Sequence, residues 1–405
     1  MSHGHEVERP LGGRIFTPAM WLLLAVIAVG ASLWVVRMFY GLGAVTAQND
    51  GYAWGIWKPL NVVTFTGIAA GAYAVGILTY AFNRGEYHGL IRSAVVVGAI
   101  GYTLAGTSVV LLDLGRWWNV WVMFAPPLYN LNSVLLEVAL CVMAYMLVLW
   151  VEVMPAMLER LSRDGTGVIQ RYAAYWDPKL RRVLPFVIAL AITLPTMHQS
   201  SLGGLYMVAV TKLHTLWHTP WISGLFLVSC LTMGYGSVVV IENLASLVWG
   251  KRIDQALLGR MSVVPAWLCV LYLAVRLGDV AWRGQLGLAF RADQYALFFW
   301  LEVATFAVPA AMLLRRRVRT DRGRLFGMAS ILVLGGALYR FDTYLTAYLP
   351  QAGAVYFPSV AEMFLSVTWA CAGIAVYVVI AKLFPILTGV VVPQEQARAD
   401  SKSAA

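Results

Sequence analysis

Seven side chains could do chemistry in this chain. They are the carboxylates Asp113, Glu137, Asp279, Glu302, Asp342 and Glu362 and the imidazole of His198, all lying in or beside long apolar stretches. A carboxylate at membrane depth costs roughly 2.5–3.5 kcal/mol on insertion scales, so such groups persist where they are paired or functional. Carboxylates and an imidazole within hydrogen-bond reach of a reacting group exchange protons with it. Glu137 and His198 are the natural acceptors. Asp113 either joins them or is locked to Arg116 as a structural pair. Glu302, Asp279 and Asp342 form either a second polar path or a packing network.

The elements that must position these groups follow from composition. Hydrophobic residues make up 60% of the 405 and charged ones 12%, against roughly 25% charged in globular domains. The chain is therefore expected to be an all-α integral membrane protein. About 20 apolar residues cross the hydrocarbon core, and spans fall near 17–40, 59–82, 91–114, 131–154, 183–211, 222–248, 262–283, 294–314, 324–348 and 359–386. None alternates with the period of a strand. The N-terminal stretch carries acids and lacks a small-residue cleavage site, so the first span is expected to stay as an anchor.

Segments on the side of both termini carry 22 of the 30 Lys and Arg, which places both termini in the cytoplasm. The +10 net charge is thus a topology signal, RRRVRTDRGR (315–324) included, and no basic stretch has the pattern of a nucleic-acid surface. With that orientation the acids gather near the outer face, His198 falls near mid-membrane, and inward of it only Glu242 offers an ionisable step.

Two loops complete the outer layer: TAQNDGYAWGIWK (46–58) and DLGRWWNVWVMFAPPLYNLN (113–132). A single interfacial Trp is ordinarily a membrane-belt residue. Combined with Asp, Arg and Asn, these aromatics line an apolar pocket with a few oriented polar groups, as a quinone head group or similar amphiphile requires. SVLLEVALC (133–141) and FFWLEVATF (298–306) share Leu-Glu-Val-Ala, and Asp113 precedes Glu137 by 24 residues as Asp279 precedes Glu302 by 23. Helices 2–5 and 6–9 then read as two four-helix bundles, parallel repeats, flanked by helices 1 and 10. The divisions are a tail at 1–16, a membrane domain at 17–386 (bundles at 59–211 and 222–348) and a cytoplasmic, disordered tail at 387–405.

Of six histidines only His198 lies in a span. A bis-histidine haem needs two facing imidazoles, so no haem is expected, with His/Met ligation left open. His214 and His218 read as interfacial rather than metal-binding. The four cysteines are scattered singly, without the spacing of an iron–sulfur cluster or zinc, and no nucleotide-binding loop occurs.

The motifs PLGGRI (10–15), YGLGAV (40–45), NDGYAWGIW (49–57), YAFNRGEYHGLIR (80–92), DLGRWWN (113–119), NLNSVLLE (130–137), LPTMHQSSLGG (194–204) and YFPSVAE (356–362) span nearly the whole chain. On them it resembles the NrfD/PsrC-like membrane subunits of respiratory oxidoreductases, most closely the HybB branch found with nickel–iron hydrogenases. The DsrP subunits of sulfur-metabolising complexes are similar. The resemblance implies a haem-free anchor in the bacterial inner membrane that binds menaquinone or ubiquinone near the periplasmic face. It also implies docking of an iron–sulfur subunit there, which relays electrons to or from a separate catalytic subunit. Asp113, Glu137 and His198 then become the proton-exchanging residues, and Asp50, Trp54, Trp57, Arg116, Asn130 and Asn132 the quinone contacts. A secondary transporter and a purely structural anchor are the alternatives of other classes.

Overall fold

The computed structural model describes residues 10–387 except Ala53; the terminal tails beyond them lie outside the described residues. Among the described residues ten apolar helices are long enough to cross a membrane: α1 (Pro18–Tyr40), α2 (Lys58–Ala81), α3 (Gly85–Asp113), α4 (Val134–Asp164), α5 (Gly167–Val208), α6 (Ile222–Trp249), α7 (Gln255–Trp282), α8 (Gln294–Leu313), α9 (Arg322–Thr346) and α10 (Val360–Leu383). Among the described residues there is no strand, only an isolated bridge between Leu213 and Tyr348. The chain is an all-α, multi-pass membrane protein.

Local sequence explains where the helices start. A side-chain oxygen accepts from an orphan backbone N–H of the first turn at Thr17, Ser133, Asp254, Asp293 and Asp321, as N-caps do. Ser359 and Glu362 cap α10 reciprocally. Two spans run far past their apolar windows. At 1.5 Å per residue the 42 residues of α5 reach about 60 Å, twice the hydrocarbon thickness. With α4 it forms a hairpin that projects from the face carrying most Lys and Arg, here the basic face. A hydropathy window sees only the apolar part of such helices.

Helices α6, α7, α8 and α9 pack around one another; α2, α3, α4 and α5 follow in a chain of neighbours; α1 pairs with α10, which lies on α3. The seam between the two sets is α6 against α2 and α5, closest along α2. There Tyr235 donates to Ala74 O (2.8 Å) and Ser237 to Ile68 O (2.8 Å). A Cβ added at Gly234 would lie 2.6 Å from Ala70 O, so glycine lets the backbones touch, a common device between membrane helices. Gly234→Val is expected to cost about 1–3 kcal/mol through overpacking and to lower the melting temperature of the purified protein. Gly224→Ala, on the same helix with nothing within 4 Å, should leave it unchanged. Equal melting of both variants would remove the seam argument.

Arg340 of α9 closes the same seam. Its buried guanidinium donates to Val63 O (3.1 Å), Gly336 O (2.9 Å), Gln199 Oε1 (3.0 Å) and Ser229 Oγ (3.4 Å). It therefore ties α9 to α2, α5 and α6 without a carboxylate.

Candidate functional site

Among the described residues, three of the four π-helical turns lie at the face opposite the basic one, the fourth (Ile77–Ala81) ending α2 at the basic face. The first turns of α2 (Lys58–Thr64) and the last turns of α3 (Val109–Asp113) and α9 (Asp342–Thr346) are π-helical. Their wider i to i+5 bonds include Leu114 N to Val109 O (2.9 Å) and Ala347 N to Asp342 O (2.7 Å). Such turns frequently mark functional sites, and no residue type announces them in a sequence.

Loops 41–57 and 347–359 knit over this end. Glu362 accepts from Ala47 N (3.0 Å), Ser359 N (2.8 Å) and Tyr356 OH (2.9 Å), while its backbone carbonyl accepts from Trp57 Nε1 (3.0 Å). Glu362 is thus a fully buried organiser of the loops. Trp54 donates to Tyr344 O (2.9 Å), and its ring packs against Tyr344 (5.2 Å between centroids), Tyr348 (5.9 Å) and, edge-on, Tyr206 (6.1 Å). This aromatic layer sits between the two helix sets.

His198 lies beneath it on α5, eight residues or about 12 Å below Tyr206. It is fully buried, and neither ring nitrogen has a hydrogen-bond partner. The Tyr102 ring meets it edge-on at 5.5 Å and Tyr145 meets Tyr102 at 4.5 Å. The hydroxyls of Tyr145 and Tyr206 are buried without partners too. Since buried polar groups are normally satisfied, this column of orphans is the strongest ligand-binding signal in the protein.

The second helix set carries a saturated cluster instead. Arg276 grips Glu302 with Nε to Oε1 at 2.8 Å and Nη2 to Oε2 at 3.2 Å. Tyr272 OH (2.7 Å) and Trp217 Nε1 (2.7 Å) complete the carboxylate. Asp342, at the π turn of α9, is fully buried, with no cation bonded to its carboxylate. The shared Leu-Glu-Val-Ala motif therefore serves two ends: Glu302 is sealed in the core, whereas Glu137 is exposed and accepts from Ser201 Oγ (2.6 Å) across α4 and α5.

The expected site residues fall into three places. Trp54 and His198 share the aromatic column, and Glu137 stands on the neighbouring seam. Trp57 is buried with Val45, Leu112 and Leu365 towards α1 and α10. Asp113, nearby, pairs with Lys58; of its two alternatives the structural pair is the one formed, but with Lys58 in place of Arg116, which is exposed past the end of α3. Asp50, Asn130 and Asn132 lie exposed on the loops, where Asn130 Oδ1 accepts from Asn132 N (3.1 Å) in a local turn. Asp279 is held by Arg283 (2.8 Å). His214 stacks on Tyr295 (4.1 Å, 7°); burial in this loop lowers its pKa, opposed by Asp293. Among the described residues no three metal-ligating side chains converge.

Inward of His198 the expectation of a single ionisable step needs correction. Glu242 is buried in an ion pair with Lys251, in the other helix set. Glu152, on α4, is a second acid on this side: it stands two turns beyond Tyr145 on the same helix and has no hydrogen-bond or ion-pair partner among the described residues.

A family model for polysulphide reductase, NrfD, matches residues 44–349. The chain is 35% identical over 390 residues to the probable Ni/Fe-hydrogenase 2 b-type cytochrome subunit of Escherichia coli K12, covering 96% of each. It is 27% identical over 296 residues to the menaquinone reductase integral membrane subunit of Nitratidesulfovibrio vulgaris Hildenborough, covering 70% of this chain and 68% of that one. A further protein of the same bacterium is 30% identical over 385 residues, with 92% and 95% covered.

Proposed function

The chain belongs to the polysulphide reductase NrfD family, and from that premise we propose that it is the quinone-reactive membrane anchor of a respiratory oxidoreductase. The basic face is then cytoplasmic in a bacterial inner membrane. An iron–sulfur subunit docks on the opposite, periplasmic face and links the quinone pool to a catalytic subunit, the reaction centre proper lying outside this chain. The hydrogenase named for one relative and the menaquinone reductase named for another support this reading.

The observation that carries it is the orphaned column under Trp54. A quinone takes up two electrons and two protons per cycle. Its head group needs flat apolar walls and hydrogen-bonding groups at its oxygens, and the chain has both: the rings of Trp54, Tyr206 and Tyr344, and the unpartnered polar atoms of His198 and Tyr206. In this reading His198 and Glu137 exchange protons. Asp113, held by Lys58, and Trp57, bonded to Glu362, set the framework. Asp50, Arg116, Asn130 and Asn132 line the approach or meet the partner.

The test is purification of the native complex. Iron–sulfur and catalytic subunits together with extractable menaquinone or ubiquinone are expected. A lone chain that moves solute would favour a transporter, and sulfur-metabolising partners would favour the DsrP-type alternative.

A relative's name includes a b-type cytochrome, yet among the described residues His198 is the only buried histidine, and it sits against Tyr102 rather than a second imidazole. The purified chain is expected to show no reduced-minus-oxidised haem band; a stoichiometric haem signal would overturn the haem-free reading.

A further inference from the structure

We propose that Glu152 is the proton-exchange group for the basic face, joined to His198 through Tyr102, Tyr145 and a small cavity inside the first helix set. The inference rests on the quinone reading above and extends it from the periplasmic end to the other side of the membrane.

The geometry is continuous. From His198, near mid-depth on α5, the edge-on rings of Tyr102 (5.5 Å) and Tyr145 (4.5 Å further) lead toward the basic face. His198 and Tyr145 are buried with unpartnered polar atoms, which leaves them free to bond to water, and the Tyr102 hydroxyl lies between them beside Gln199. Tyr145 and Glu152 lie seven residues apart on α4, about 10 Å along the same helix face. Between them is a cavity of about 10 Å³, walled also by Tyr73, Gly76 and Tyr80. That volume is near the lower limit for one water, and Tyr73, Tyr80, Tyr145 and Glu152 bring polar atoms to an otherwise apolar wall. Tyr73 is fixed by its 2.6 Å hydrogen bond with Thr196 Oγ1 on α5.

Beyond the cavity Glu152 has a way out. It lies 18 residues, about 27 Å, below the start of α4, at the basic end of a hydrocarbon core about 30 Å thick. Beside it Tyr80 stands in the remaining π-helical turn, Ile77–Ala81, and its ring meets His88 edge-on at 6.2 Å. His88 is exposed at the start of α3. Glu242, the other inner acid, is committed to Lys251 and belongs to the other helix set.

The balance is simple. Two electrons arriving from the periplasmic iron–sulfur partner reduce one quinone to quinol, and the two protons it takes up enter from the basic face by way of Glu152. Electrons and protons thus reach the quinone from opposite sides, and each turnover separates two charges across the membrane.

The experiment uses the intact complex in proteoliposomes with a pH dye in the compartment facing the basic side. Wild type is expected to consume protons from that compartment during quinone reduction. Glu152→Gln should reduce this uptake and turnover by about a hundredfold, with assembly and melting temperature unchanged; Glu152→Asp should restore part of both, and Tyr145→Phe should resemble Glu152→Gln. Infrared difference spectra on quinone reduction should show a carboxyl band in wild type that Glu152→Gln removes. The proposal is overturned if Glu152→Gln keeps wild-type turnover and uptake. It is equally overturned if Glu152→Gln fails to assemble while Tyr145→Phe turns over normally, for the acid is then structural. A wild-type complex that reduces no quinone instead defeats the functional reading beneath it.

Discussion

His198→Ala is expected to lower quinone-dependent electron transfer by about two to four orders of magnitude, the usual contribution of a positioned proton-transfer group, while the complex still assembles. The assembly half follows from the hydrogen-bond pattern. His198 satisfies no neighbour and is satisfied by none, so its removal strands no buried polar partner and leaves only a cavity. His198→Phe keeps the ring against Tyr102 and lacks both nitrogens; it should fold at least as well and be as inactive. Quinone turnover by the purified complex, read beside its melting temperature, separates the two halves. Wild-type turnover in either variant removes His198 from the chemistry.

The second large effect belongs to stability. Arg276→Met leaves Glu302 fully buried with its charge uncompensated, and breaking a buried pair this way costs about 3–5 kcal/mol. Tyr272 and Trp217 continue to donate to the carboxylate but cannot neutralise it. The single variant should melt far below wild type or fail to accumulate in the membrane. In the double variant Arg276→Met/Glu302→Gln the charge is gone, and the glutamine carbonyl still accepts from Tyr272 or Trp217. Its loss should be clearly smaller than the single variant's. If the double variant is as unstable as the single one, the cluster's value lies in packing rather than in charge pairing.

Hydropathy and charge asymmetry made much of the molecule legible, because crossing a membrane imposes length and apolarity on every span at once. Depth was legible for the same reason: Glu302, Asp342 and Glu362 lie near the end of the helices where counting residues places them. Azimuth was not. Glu137 and Glu302 share a motif and a depth, yet one faces outward and the other is sealed in, because the side a helix presents depends on its neighbours. Partner choice was equally hidden: Asp113 takes Lys58 from the neighbouring helix α2 rather than Arg116, three residues on along its own chain. The π turns left no composition signature, and a lone acid near the end of a span, as Glu152 is, carries the same sequence signal as an interfacial residue; only its cavity distinguishes it.

The seam between the helix sets also bears on how the molecule can work. Alternating access requires two bodies to separate along a surface that can open and reclose. Here the surface is backbone against backbone at Gly234, and Arg340 reaches across it to three other helices. Parting the bodies would strip a guanidinium of its partners in a low-dielectric interior, at several kcal/mol. The seam therefore weighs against an alternating-access transporter, and on the proposed reading protons would pass through a body that stays closed.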